Sequence, residues 1–206
     1  MASKKRVDWA AIDGEVPAKL AQQAAAGKKI AVVTSSMSSP SAKKSIADFI
    51  AKYPTAKHIV YDAVSYYGII KGNELSFGRG VVPSYSFDKA EVIVSFGADF
   101  LTSWINPIEF ARQYGETRKL RNGKKTLSKH YQFEAMLSLA GANADQRVKI
   151  KPSQQSAVVA SLYNKVAALA GGAAVNAPST PVDKVLESVA KELVAAKGKS
   201  LVVSGS

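Results

Sequence analysis

Short apolar runs that alternate with amphipathic segments constrain the fold of this chain more than any other feature. Four such runs stand at 30–33, 58–61, 92–96 and 201–203. Each is long enough for a buried strand and too short for a typical helix. The longer segments between them repeat apolar residues at helical spacing, as at Val158, Leu162 and Val166. Strands that alternate with helices predict an α/β fold, with a Rossmann-like, doubly wound, mainly parallel sheet and helices on both faces.

The length and the end of the chain bear on its organisation. A chain of 206 residues fits one α/β domain over residues 1–206. The run at 201–203 is followed only by residues 204–206, where a strand of such a fold normally leads into a helix. We therefore expect a sheet that is incomplete at the C-terminus and a chain that is a fragment of a larger protein. The stretch 62–77 is ambiguous, because Gly68 and Gly72 weaken a helix there.

The side chains that commonly carry chemistry are scarce. The chain has no cysteine and two histidines, which excludes disulfides, thiolate zinc sites and iron–sulphur clusters held by this chain. His58 lies in an apolar run and is expected to be satisfied within the fold, whereas His130 is expected to be exposed. Trp104 is expected in the core. We predict no catalytic residue and no metal site. We also predict no membrane span, because no apolar run approaches about 20 residues.

The charge balance points to partners without naming them. The formal net charge is +12, and the densest basic stretch is residues 118–129. This stretch carries the turn signal Asn122-Gly123 and no aromatic residue between its cations. We interpret it as a loop that faces solvent or an acidic protein partner. A basic nucleic-acid-binding domain is the distant alternative.

Two loops follow apolar runs and lie where ligands bind in open α/β sheets. Residues 34–41 are rich in serine and lead to Pro40, a typical first helical residue, so an anion site or a simple capped turn is possible there. Gly97, Ala98 and Asp99 follow the clearest strand. They allow either close approach of a nucleotide-like ligand or a tight structural turn.

Three segments together resemble the molybdopterin oxidoreductase family. They are the run from Phe77-Gly78 through residues 82–100, the helix motif ARQYGE at 111–116, and ANADQRVKIKP at 142–152. The similarity covers most of residues 7–170. Within the family, the chain resembles the iron–sulphur subunit of alternative complex III, a membrane-bound quinol oxidoreductase.

The resemblance implies a function for the chain. It suggests a non-catalytic scaffold region of a quinol-oxidising electron-transfer complex, without a cofactor of its own. The iron–sulphur clusters are then expected elsewhere in the parent subunit, and the partners are other subunits of a respiratory complex. By resemblance, the location is the periplasmic side of the bacterial inner membrane.

The alternative is a genuine molybdopterin-binding segment of an oxidoreductase. In that case the resemblance implies cofactor contacts at Ser65, Gly97, Ala98, Asp99 and Lys151. Two departures count against it. Asp99 places a negative charge where a phosphate-bearing pterin would lie, and Lys151 replaces an arginine, which keeps the charge but not the bidentate geometry.

Overall fold

The computed structural model describes residues 6–37, 39–120, 123 and 125–205. The chain divides into two compact units, and the boundary falls between Ser65 and Tyr66. The first unit holds the N-terminal strands and helices, and the second holds the larger sheet. That residues 1–206 form one domain stays a prediction.

The first unit is a small helix–strand repeat. Its elements in chain order are α1 (Trp9–Ala25), β1 (Ile30–Thr34), α2 (Pro40–Lys52) and β2 (Ala56–Val60). The side chain of Asp8 caps α1 by accepting the N–H of Ala11 at 2.9 Å. Ser39 caps α2 by accepting the N–H of Ala42 at 3.3 Å. A capping residue followed by apolar residues at helical spacing is typical of a helix start, and both helices begin in this way.

The two strands of the first unit pair in parallel and leave much apolar surface open. Val33 lies opposite Ile59 in the register, and these side chains are 63% and 48% exposed. A cleft of about 420 Å³ lies beside Ile30, Ile46 and Phe49. This unit therefore buries little apolar surface, since among its described residues only Tyr53 and Ala56 are buried hydrophobics.

The second unit is built on a four-stranded parallel sheet. Its elements are α3 (Tyr67–Phe77), β3 (Val92–Phe96), α4 (Pro107–Thr117), β4 (Lys129–Glu134), α5 (Leu139–Asn143), β5 (Gln146–Lys149), α6 (Gln155–Ala170), α7 (Asp183–Ala195) and β6 (Ser200–Ser204). The strand order is β5-β4-β3-β6. The ambiguous stretch resolves as α3, which tolerates Gly68 and Gly72 because both positions are open.

Apolar cores cover both faces of this sheet. On one face, Phe96 and Phe133 stack with ring centroids 4.9 Å apart and pack with α6 and α7 through Leu162 and Leu186. On the other face, Ile93 packs with residues of α4 and the preceding loops. All five residues of β3 are buried. The predicted α/β fold with a parallel sheet and helices on both faces is thereby confirmed.

The strand β4 differs from its prediction in one respect. Its alternating sequence, read as a half-buried strand from Tyr131, indicates one wet face. The structure instead buries every residue from His130 to Glu134. The polar side chains of β4 face a second protein layer rather than water, because α4 and α5 cover that side of the sheet.

Candidate functional site

The topology of the second unit places a switch point at the carboxyl ends of β3 and β6. The chain proceeds from β3 to β4 and β5 on one side, and then returns to place β6 on the other side of β3. Ligands of open α/β sheets bind in the crevice beyond such a point. The residues at this edge are therefore the first candidates for a functional site.

Two glycines allow the backbones to meet closely at the switch point. Gly97 has a φ of 64°, in the left-handed region that glycine adopts without strain. The N–H of Gly205 donates to the carbonyl oxygen of Phe96 at 2.8 Å. A Cβ on Gly205 would lie 2.7 Å from the carbonyl oxygen of Gly97. Only glycine fits there, and the immediate reason is contact between two loops of this chain.

A side chain from α6 occupies the space beside Gly97. Oε1 of Gln155 lies 3.0 Å from the position that a Cβ on Gly97 would take. The amide nitrogen of the same Gln155 donates to the hydroxyl of Ser204 at 3.2 Å. Gln155 thus bridges the loop after β3 and the end of β6.

Ala98 and Asp99 are engaged inside the fold. Ala98 is fully buried in the core beside Phe100. Oδ1 of Asp99 accepts the N–H of Ala140 at 3.0 Å, near the N-terminus of α5, where a carboxylate is favoured by the helix dipole. The carbonyl oxygen of Asp99 also accepts the N–H of Trp104 at 3.0 Å. Ala98 has no polar side chain, and Oδ1 of Asp99 is engaged with α5.

The two remaining residues of the resemblance lie in different units. Lys151 is exposed just after β5, and its N–H donates to Oε1 of Gln154 at 2.9 Å. Ser65 is the last residue of the first unit. Gly97, Ala98, Asp99 and Lys151 therefore lie along the carboxyl edge of the larger sheet, whereas Ser65 belongs to the other unit.

The serine-rich loop of the first unit is also held internally. The N–H and hydroxyl of Ser36 donate to the two carboxylate oxygens of Asp62 at 2.6 and 2.5 Å. These hydrogen bonds hold the pKa of Asp62 below its ordinary value. An anion at this loop would have to displace Asp62, while Ser38 lies outside the described residues. The capped-turn interpretation accounts for the contact at Ser39, whereas the donors of Ser36 are taken up by Asp62.

A row of buried polar side chains on β4 is the feature that sequence reasoning missed. The ring of His130 contacts the hydroxyl of Tyr114 at 3.2 Å and Oε1 of Gln132 at 3.2 Å. The amide nitrogen of Gln132 donates to Oε2 of Glu134 at 3.2 Å. His130 is fully buried, so the expectation that it is exposed was wrong. Burial lowers the pKa of His130 to about 4.

Glu134 ends this row at the carboxyl edge and accepts four hydrogen bonds. Its carboxylate accepts the hydroxyl and the N–H of Ser138 at 2.6 and 3.2 Å and Nε of Arg147 at 2.5 Å, besides the amide of Gln132. Burial alone would raise the pKa of Glu134, but the hydrogen bonds outweigh it and hold the pKa below its ordinary value. The spacing of His130, Gln132 and Glu134 is a usable signal, since alternate residues of a strand share one face.

The ends of the basic segment form internal ion pairs. Arg118 makes a bidentate contact with Asp145 at 2.6 and 3.0 Å and also donates to the carbonyl oxygen of Ser128. Lys129 pairs with Glu192 at 2.5 Å. Arg121, Asn122 and Lys124 lie outside the described residues. Two of the cations that suggested an external partner therefore hold this unit together.

Trp104 lies in the core, as predicted, and is 7% exposed. Its ring lies 5.1 Å from that of Tyr85, and its indole N–H has no hydrogen-bond partner among the described residues. His58 is exposed and its Nε2 contacts the hydroxyl of Thr34 at 2.8 Å. His58 therefore has a hydrogen-bond partner within the fold, as the sequence predicts, although its side chain is exposed.

At the carboxyl edge, the side chains of Asp99, Glu134 and Gln155 bind other groups of this unit and hold loops in place. Within the described ranges, no group of three or more His, Cys, Asp or Glu side chains is arranged to hold a metal ion. No helix of the described part of the chain is long and apolar enough to cross a membrane. Comparison with models of known protein families and with curated protein sequences finds no match.

Proposed function

We propose that this chain is a non-catalytic scaffold region of a larger electron-transfer assembly that oxidises quinol at a membrane. The type of assembly comes from the resemblance to the alternative complex III subunit. In this proposal the iron–sulphur clusters lie elsewhere in the parent subunit, on the periplasmic side of the bacterial inner membrane. The chain contributes surface and shape rather than a reacting group.

The observation that carries the scaffold role is the open apolar sheet of the first unit. Parallel strands are normally covered on both faces, and a two-stranded sheet is marginal by itself. Here Val33 and Ile59 are paired neighbours on one face and both are largely exposed. Tyr61 and Val64 continue the exposed apolar surface just after β2, at 73% each. Contiguous apolar surface of this kind marks a protein–protein contact.

The residues that line the candidate crevice contact other parts of this chain, which supports the proposal that the chain has no cofactor of its own. Ala98 lies in the core, the carboxylate of Asp99 is bonded to α5, and Gln155 lies beside Gly97. A pterin phosphate at this edge would meet the negative charge of Asp99. This arrangement supports the proposal that no molybdopterin binds at these residues.

The test is cross-linking mass spectrometry on the native assembly purified from its source membrane. Lys57 reports on the open face, because it lies two residues before Ile59 and so points to the same side of the sheet. We expect cross-links from Lys57 to other subunits. Lys184, exposed on α7 of the second unit, is a matched control that reports on a different face. Cross-links from Lys57 confined to its own chain would contradict the proposal.

The rival function, a genuine molybdopterin-binding segment, has a separate test. Gly97 is exposed at the switch point, which is the feature that favours a ligand there. Elemental and pterin analysis of the full-length protein distinguishes the two functions. We expect no pterin; molybdenum at one atom per chain would overturn the scaffold proposal.

A nucleic-acid function is the distant rival. Arg118 and Lys129 each have an acidic partner within the chain, which removes two cations from any phosphate-binding surface. We expect no DNA binding at moderate salt. Binding with a salt slope that reports several phosphates would support the rival.

A further inference from the structure

The loop between β4 and α5 carries a projecting apolar tip, which we define as Met136, Leu137 and Leu139. Their side chains are 82%, 68% and 51% exposed. The tip follows directly after the buried strand β4 and leads into α5, so it stands at the carboxyl edge of the sheet. Exposed apolar side chains on consecutive residues are costly in water and indicate a contact surface.

Two lysines lie at the same edge as the tip, one at the end of the neighbouring strand β5 and one just after it. Lys149 is opposite Glu134 in the register of β4 and β5, and Lys151 follows it by two residues. Both are exposed, and neither forms an ion pair with a described residue. The N–H of Ile150 donates to the carbonyl oxygen of Glu134 at 3.0 Å. This bond keeps the end of β5 against the start of the tip loop.

The acidic groups of the same edge are turned inward. Glu134 is 4% exposed and pairs with Arg147, and the carboxylate of Asp99 is bonded to Ala140. The local surface therefore combines exposed apolar side chains with positive charge that no neighbouring carboxylate neutralises. Its complement is an anionic surface that also accepts apolar groups.

We propose that this tip and Lys149 and Lys151 dock the chain on an anionic lipid surface. Met136 and Leu137 are adjacent in a short loop, and both side chains are largely exposed. A fluid lipid interface accepts such a tip in any orientation, whereas a protein partner would need a pocket for each side chain. The lysines reach the phosphate layer while the apolar side chains enter the acyl boundary. Contacts of this size give weak, reversible and salt-sensitive binding.

The experiment is co-sedimentation of the full chain with vesicles of phosphatidylcholine alone or with added phosphatidylserine. We expect binding to the anionic vesicles at low salt and its loss near 1 M salt, where the screening length falls to about 3 Å. The variant Lys149→Gln, Lys151→Gln should bind about 25-fold more weakly, at about fivefold per lysine. The variant Met136→Ser, Leu137→Ser should bind more weakly by a factor of about ten at least.

Matched controls distinguish an effect of the tip from a general effect of net charge or of exposed apolar surface. Lys184→Gln, Lys191→Gln makes the same change of net charge on α7 of the second unit. Leu120→Ser, Leu169→Ser removes two exposed leucines elsewhere. Both controls should bind as the parent does, and the thermal unfolding of all four variants should match the parent, because every substituted side chain is exposed.

Three outcomes would overturn the proposal. They are equal binding to neutral and anionic vesicles, equal losses in the tip and control variants, and no binding to anionic vesicles at low salt. In the last case, tip variants that fail to join the native assembly would assign the tip to a protein partner instead. The lipid inference does not depend on the scaffold proposal, since the open face at Val33 and Ile59 is a different surface.

Discussion

The carboxylate of Glu134 fills the space that any side chain at Gly141 would need. Gly141 lies in α5 and is buried, and its φ is not in the left-handed region. The need for glycine at this position is therefore steric rather than conformational. The contact joins the end of β4 to α5 and fixes the loop between them.

Gly141→Ala should destabilise the second unit by about 2 kcal/mol or more, because the methyl group displaces a buried carboxylate from its donors. Urea unfolding followed by the fluorescence of Trp104 in a Trp9→Phe background measures this. Gly72→Ala in α3 is the matched control. That position is open, so alanine should raise the free energy of unfolding by up to about 1 kcal/mol. Equal effects of the two substitutions would contradict the steric explanation.

Asp99 should act as a structural acceptor for α5. Asp99→Ala removes the bond to Ala140 and should cost about 1 kcal/mol, with faster hydrogen exchange at the amides of α5. Asp99→Asn keeps an acceptor oxygen and should retain most of the protection. If the alanine and asparagine variants exchange at the same rate as the parent, the bond has no role in holding α5.

His130 should make the second unit sensitive to mild acid. The folded state holds the pKa of His130 at about 4, whereas an unfolded histidine titrates near about 6.5. The neutral form is therefore favoured by folding. The stability it contributes is complete above about pH 6.5 and is lost as the pH falls toward 4, on the order of 3 kcal/mol in all.

The charged groups around His130 act in a different pH window. Arg118 follows directly after α4, Asp145 directly precedes β5, and Glu134 lies along β4; all three act on His130. The lowered pKa values of Asp145 and Glu134 make their contribution fall only below about pH 4.3, the range of unfolded carboxylates. NMR of a His58→Gln variant, which retains one imidazole, measures His130 directly. A midpoint near 6.5 in the folded protein would rule out the buried neutral state.

The open face of the first unit should tolerate polar substitution. Val33→Thr, Ile59→Thr keeps β-branched side chains at exposed positions, so the free energy of unfolding should change by about 0.5 kcal/mol or less. Assembly with other subunits should weaken. The measurement is co-purification of those subunits from the membranes of cells that express the variant. The comparison is Thr34→Val, Val60→Thr. It changes the neighbouring pair of the register and keeps the number of polar and apolar residues there the same. Unchanged assembly in the Val33, Ile59 variant would contradict a docking role for this face.

The sequence predicts much of the architecture because the signals are local. The caps at Asp8 and Ser39, the apolar period of α6 and the continuous apolar run of β3 each specify an element by themselves. Local signals also predict Trp104 in the core, and they leave Gly97 open between a ligand loop and a tight turn. They say less about the candidate site, because its groups come together from β3, β4, α5 and α6.

His130 shows why the contacts of the buried polar side chains could not be predicted from the sequence. In sequence it stands beside a basic segment and alternates with apolar residues, which indicates a wet face. The structure covers that face with Tyr114 and Phe100. Whether a polar residue of an alternating strand is wet or dry depends on the layer packed over it, and no pattern within the strand encodes that layer.

The sequence by itself determined the α/β class, the mainly parallel sheet with helices on both faces, and the absence of cysteine chemistry, since these follow from periodicity and residue type. Only the tertiary structure decided what the polar residues do. It directed Asp99 to α5, Arg118 to Asp145, and Glu134 to Arg147, and it left Met136, Leu137, Lys149 and Lys151 facing outward. The physical reason is that a charge or an apolar side chain finds its partner across space, between segments whose separation along the chain carries no information about their contact.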